Sequence, residues 1–82
     1  MTTAITNRIR DILAETLEID ASLITRNANL LEDLGADSLM MLEVLARLDD
    51  EFGINIEQSQ LARMTSQLAI EQIVADALSV RV

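Results

Sequence analysis

Ser38 carries the hydroxyl in this chain that is best placed for chemistry, and it stands without the partners that would make it a nucleophile. A serine becomes reactive when a neighbouring base takes its proton, and that base is usually His, Lys or a comparable group. The 82-residue sequence has no His, no Lys and no Cys; all six basic residues are Arg. Carboxylates remain as possible bases, but they are scattered over positions expected to face solvent. The same absences remove thiolate and imidazole metal ligands. No catalytic residue and no metal site are therefore expected, and the chain reads as something other than an enzyme.

The position of Ser38 allows two readings. Asp37-Ser38 precedes an apolar helical run, which is a common capping pattern, so the serine could simply close the helix end. Alternatively, Asp37 caps the helix and leaves the Ser38 hydroxyl exposed. In that case a phosphate attached to Ser38 would sit at the positive end of the helix dipole, near free N–H groups.

The helix behind it runs from Ser38 to Phe52, with Gly53 as its stop. It carries more apolar residues than one core can take. Met41, Val44, Leu45, Leu48 and Phe52 form one stripe at steps of three and four. Leu39, Leu42 and Ala46 form a second, rotated away from the first and flanked by Glu43, Asp49 and Asp50. An apolar strip rimmed by carboxylates suits a partner with an apolar patch and a basic rim, although a helix buried on both sides would show the same stripes. Met40 is apolar where a solvent position is expected.

The remaining elements must hold this helix. Thr2 or Thr3 can cap a first helix in which Ile5, Ile9, Ile12, Leu13 and Leu17 share a face. From Ile19 to Asp37 the period is lost, so this segment is expected to be a long loop with a helical turn near Leu31 to Leu34. Its apolar residues Leu23, Ile24, Leu30, Leu31 and Leu34 are expected to pin it to the helices. Ile54 to Ile56 reads as extended, Glu57 to Arg63 as a brief helix. Thr65 or Ser66 caps a last helix with Leu68 or Ala69, Ile70, Ile73, Val74, Ala77 and Leu78 as its stripe. The expected fold is all-α: a small bundle of three main helices plus one short helix, with a long loop between the first and second.

Length and composition bound the rest. A chain this short forms one domain, here spanning 1–82, and buries only about 60% of its unfolded surface. Half of its residues are hydrophobic but Phe52 is the only aromatic, so the core must be aliphatic. The net charge of −8 disfavours nucleic acid and anionic membranes and favours a protein partner with a basic patch. The acidity could equally serve solubility alone. No apolar run approaches the roughly 18 residues of a membrane span. The N-terminal run also lacks the apolar stretch of a signal peptide, so a cytoplasmic location is expected.

The run Asn29-Leu30-Leu31-Glu32-Asp33-Leu34-Gly35-Ala36-Asp37-Ser38-Leu39 resembles the attachment motif of the acyl carrier protein family. Glu43, the run Leu48 to Gly53, Ile54 to Ile56 and Met64-Thr65 extend the likeness over nearly the whole chain. The resemblance implies that Ser38 takes 4′-phosphopantetheine from coenzyme A and that Asp37 helps place the serine and the magnesium of the loading enzyme. It implies a partner-docking face of Leu39, Leu42, Glu43, Ala46 and Asp50. It also puts Leu45, Leu48, Ile56, Leu61 and Met64 where an attached acyl chain can open a cleft, positions that an ordinary core would fill equally well.

Met40, followed by Met41, stands where fatty-acid carriers usually have an acidic residue, and Gln58, Ser59 and Gln60 stand where those carriers tend to be more acidic. The spacing from Thr65 to Ile73 also fits that pattern only with a shift of about one residue. These departures look more like carriers of secondary metabolism. The implied function is to hold acyl intermediates as thioesters and deliver them to synthase enzymes of a polyketide or related pathway. The implied partners are a phosphopantetheinyl transferase and acyltransferase- or ketosynthase-type enzymes with basic docking patches, met by a discrete, monomeric carrier. Fatty-acid and peptidyl carriers are the alternatives within the family. Outside it, the alternative is a helical interaction module that is never loaded.

Overall fold

The computed structural model describes residues 3–79. It contains three α-helices: α1 (Thr3–Leu17), α2 (Ser38–Phe52) and α3 (Gln67–Ser79). A 3-10 turn, Ala21–Leu23, interrupts the first connection, and a 3-10 helix, Gln58–Arg63, lies between α2 and α3. Among the described residues there is no strand, so the all-α bundle expected from the sequence is the observed fold. The proposed cap Thr2 lies outside the described residues, and Thr3 already belongs to α1.

The helices form where apolar residues recur at helical spacing, and they bury the faces that spacing marks. In α1 these are Ile9, Ile12, Leu13 and Leu17, joined by Thr16. In α2 they are Met41, Val44, Leu45 and Leu48, with Phe52 half-buried. The core is thus aliphatic, and the one aromatic ring lies at its edge.

Two helices end with the same device on different residues. The Ile54 N–H donates to the Asp49 carbonyl (3.1 Å) across Gly53, whose φ of 63° is left-handed. The Ile19 N–H donates to the Ala14 carbonyl (3.1 Å) across Glu18, at φ 56°. This bond ties the residue after the left-handed one back to the last turn; at Asp49 it adds to the bond from the Gly53 N–H. Glycine adopts the required conformation freely; Glu18 adopts it against the crowding of its Cβ.

The 19–37 connection is less loose than its composition suggests. Asn29 Oδ1 accepts from the Leu31 and Glu32 N–H groups (both 2.9 Å), and Asp33 Oδ2 accepts from the Asn29 N–H (2.9 Å). These bonds build the helical turn expected near Leu31. They also fix which leucines face inward. Leu30 and Ile24 are buried and Leu34 is half-buried, but Leu23 and Leu31 are exposed, contrary to the expectation that all five pin the loop. The Leu30 N–H donates to the Thr65 carbonyl (2.9 Å) and the Leu68 N–H to the Arg26 carbonyl (3.0 Å), tying the loop to the start of α3.

The short helix expected at Glu57 to Arg63 is a 3-10 helix opening at Gln58. Residues three apart eclipse in that geometry, which turns Leu61 and Met64 toward the interior together. In α3, Ser66 is the cap, with its Oγ accepting from the Ala69 N–H (3.2 Å).

The buried face of α3 differs from the expected stripe. Gln67 and Glu71 are buried beside the expected Ile70, Ile73 and Val74, while of the two alternatives at the start of the stripe Ala69 is half-buried and Leu68 exposed. Both oxygens of Glu71 find donors there, and Gln67 is held through its Nε2, while its Oε1 is buried without a partner. Glu71 is also the exception to the expectation that the carboxylates lie on the surface.

Candidate functional site

Asp37 caps α2. Its backbone is extended (φ −119°, ψ 176°) and its Oδ1 accepts the Met40 N–H at 2.8 Å. The Met41 N–H donates to the Asp37 carbonyl at 3.0 Å. The capping role that sequence left open between two residues therefore belongs to Asp37. Ser38 occupies the first helical position, exposed, and its hydroxyl makes no hydrogen bond among the described residues. The two residues sit side by side with divided tasks.

Beneath Ser38 lies a cavity of about 180 Å³ lined by Leu31, Met41, Leu61, Ala62 and Met64. Of the five residues placed at an acyl cleft, Leu61 and Met64 line this space. Leu45 and Leu48 instead pack into the bundle core, and Ile56 lines a separate groove against α3. A hydroxyl at a helix N-terminus above an apolar cavity fits a phosphodiester-linked arm whose far end is apolar. The dipole favours the phosphate, and the cavity favours hydrocarbon.

The second stripe of α2 is largely open. Leu39 is 75% exposed, Ala46 is exposed and Leu42 is half-buried. Glu43 and Asp50 are exposed, and at 100° per residue they fall on the same face as the three apolar residues. Asp49 does not join them. Its Oδ1 accepts the Ile56 N–H at 2.9 Å, so it fastens the segment after α2 instead of rimming the strip. Met40 is half-buried against the core, which accounts for an apolar residue at that position.

Sequence reasoning missed one feature of this face. Arg47 reaches Glu43 at 2.9 Å and Glu15 of α1 at 3.6 Å. The four-residue spacing of Glu43 and Arg47 signals the first pair; nothing local signals the second.

It also missed a polar cluster gathered around the buried Glu71. Glu71 accepts from Arg26 Nη2 (2.6 Å) and Nε (3.1 Å), from Gln67 Nε2 (3.1 Å) and from Thr6 Oγ1 (3.4 Å). Gln67 Nε2 also donates to the Thr6 carbonyl at 3.2 Å. The hydrogen bond and then the charge of Glu71 raise the Arg26 guanidinium pKa above its ordinary value. Arg26 and Glu71 are 45 residues apart, so no local pattern announces them.

Among the described residues no cluster of carboxylates could hold a metal ion, and no helix is long and apolar enough to cross a membrane.

Residues 7–74 match the family described as "Phosphopantetheine attachment site". An acyl carrier protein of Saccharopolyspora erythraea is 54% identical over 54 residues, which cover 66% of this chain and 57% of that protein. The matched stretch is thus little more than half of that relative's length. The polyketide-8 synthase acyl carrier protein 2 of Streptomyces avermitilis is 37% identical over 59 residues, 72% of this chain and 68% of that one. A chain in the solved structure described as "The ishigamide ketosynthase/chain length factor" superposes with a TM-score of 0.80 at 33% identity. That match covers 95% of this chain and 99% of the other. The chain therefore belongs to the acyl carrier protein family: it is a phosphopantetheine-bearing carrier and not a catalyst.

Proposed function

We propose that Ser38 is the attachment point and that this single carrier domain conveys acyl intermediates of a polyketide or related pathway in the cytoplasm. The observation that carries the reading is the cap. Asp37 satisfies the end of α2, so Ser38 Oγ is free to form a phosphodiester without opening the helix. In loading, Ser38 Oγ would attack the phosphorus of coenzyme A that bears the pantetheine. The bond to adenosine 3′,5′-bisphosphate breaks, and the serine proton leaves to a base on the loading enzyme. When bound, the arm supplies a thiol that holds cargo as a thioester.

Leu39, Leu42, Glu43, Ala46 and Asp50 form the docking face in this reading. The partners are a phosphopantetheinyl transferase and synthase enzymes with a basic rim around an apolar patch. Contacts of modest area suit a monomeric carrier that must leave each enzyme for the next. The name of the Streptomyces relative and the ketosynthase/chain length factor of the matched structure support the polyketide assignment.

The test is intact mass after incubation with coenzyme A, magnesium and a broad-specificity phosphopantetheinyl transferase. The wild type should gain one phosphopantetheine and S38A none. A wild type left unchanged under conditions that load a control carrier would instead make this an interaction module.

A further inference from the structure

We infer that Arg26 and Glu71 form a clasp that sets the wall of the cavity beside Ser38, making Arg26 a positioning residue for the cargo. This rests on the carrier reading above.

Besides Ser38 and Met41 of α2, the cavity has two walls that come from different parts of the chain. Leu31 belongs to the 19–37 loop; Leu61, Ala62 and Met64 belong to the 3-10 helix and the segment after it. The residues next to Leu31 and Met64 are joined directly, since the Leu30 N–H donates to the Thr65 carbonyl. That backbone bond joins the loop beside one wall to the segment beside the other. Its neighbour along the seam is the bond from the Leu68 N–H to the Arg26 carbonyl. Arg26 then anchors the seam through its side chain, which forks onto both oxygens of Glu71.

Glu71 is itself immobilised. It is 2% exposed and held by Gln67 and Thr6 as well, so it ties the seam to both α3 and α1. A two-point guanidinium–carboxylate contact fixes orientation as well as distance. Hence Arg26 constrains where the loop lies against the start of α3, and with it the spacing of Leu31 and Met64. The cavity is comparable with engineered apolar cavities of about 150 Å³ that bind benzene. A six-carbon acyl chain is therefore a suitable probe of its walls, and an acetyl group is too short to fill it.

The test uses wild type, R26Q and the double variant R26M/E71M, each loaded and then carrying either a hexanoyl or an acetyl thioester. Leaving Glu71 buried without its partner could unfold R26Q. The double variant avoids this, because it removes the buried Glu71 charge together with its solvent-exposed partner, so no unpaired carboxylate is left inside. Amide exchange at Leu30 and Leu68 should quicken roughly tenfold more than at Val44 and Leu48 of α2. The extra thermal stability of the hexanoyl form over the acetyl form should disappear in the variants.

Exchange at Leu30 and Leu68 that changes only in step with Val44 and Leu48 would overturn the clasp, reducing Arg26 to a general contributor to stability. An unchanged hexanoyl-over-acetyl difference would overturn it equally. Loading of the wild type is read from the same samples by mass. A failure there strikes the carrier reading, whereas normal loading with unaltered exchange strikes the clasp alone.

Discussion

Two glutamates, each paired with an arginine, do opposite things in this molecule. Glu43 lies on the open face of α2 and touches Arg47 at 2.9 Å; both side chains are about half exposed. Glu71 is buried in α3 and takes four hydrogen bonds from three elements. Water stabilises the first pair almost as well apart as together, so the contact is worth only about 0.3–0.5 kcal/mol. It can be exchanged for a partner's cation at little cost. No water replaces the donors around Glu71, so that carboxylate is committed to the fold. Burial sets how firmly each of these two carboxylates is held: Glu43 can give up its arginine to water, and Glu71 cannot.

Substitutions can break that contrast. The largest expected effect is at Glu71. E71A strips acceptors from the buried Gln67 amide and from Thr6 and Arg26, and should cost about 3 kcal/mol in denaturant unfolding. Next is Glu43. E43R should leave the unfolding midpoint nearly unchanged yet slow transferase loading or acyl transfer about tenfold, equivalent to about 1.4 kcal/mol in the encounter with a basic partner. The wild-type rate should itself fall as salt rises. If E43R were processed at the wild-type rate, the exposed face would need a different location.

Smaller effects sharpen a second contrast, between the ends of α1 and α2. E18G relieves a left-handed non-glycine residue and should stabilise the chain by about 1 kcal/mol, measured by the shift in melting temperature. Smallest is Asp20, whose pKa is lowered chiefly by the hydrogen bond from the Ser22 backbone N–H. Folding favours its ionised form. Its contribution is therefore complete above the ordinary carboxylate value and is lost as pH falls through the lowered folded-state value. D20N should remove that step from the acid limb of a stability–pH profile.

How much of this was legible in sequence follows from how local each signal is. The bounds of α2 could be read directly, because an Asp-Ser start, a three-four apolar period and Gly53 all lie within one segment. The surplus stripe on α2 was legible for the same reason. Ser38 could be singled out, but whether it or Asp37 capped the helix depended on backbone angles that residue types do not fix. The exposure of Leu31 beside buried Leu30 depends on the Asn29 turn, which sets inward and outward by geometry that composition does not encode. Glu71 read as one more surface carboxylate because its principal partner lies far away in the chain. Long-range polar pairing leaves no period to detect.

The division of labour at the head of α2 has one more consequence. Since Asp37 alone closes the helix, a chain with alanine at position 38 should keep the same exposed strip and the same charge pattern. It would present the full address while being unable to take cargo. Added to a working synthase, S38A should therefore behave as a decoy, occupying docking sites reversibly and slowing turnover in proportion to its concentration.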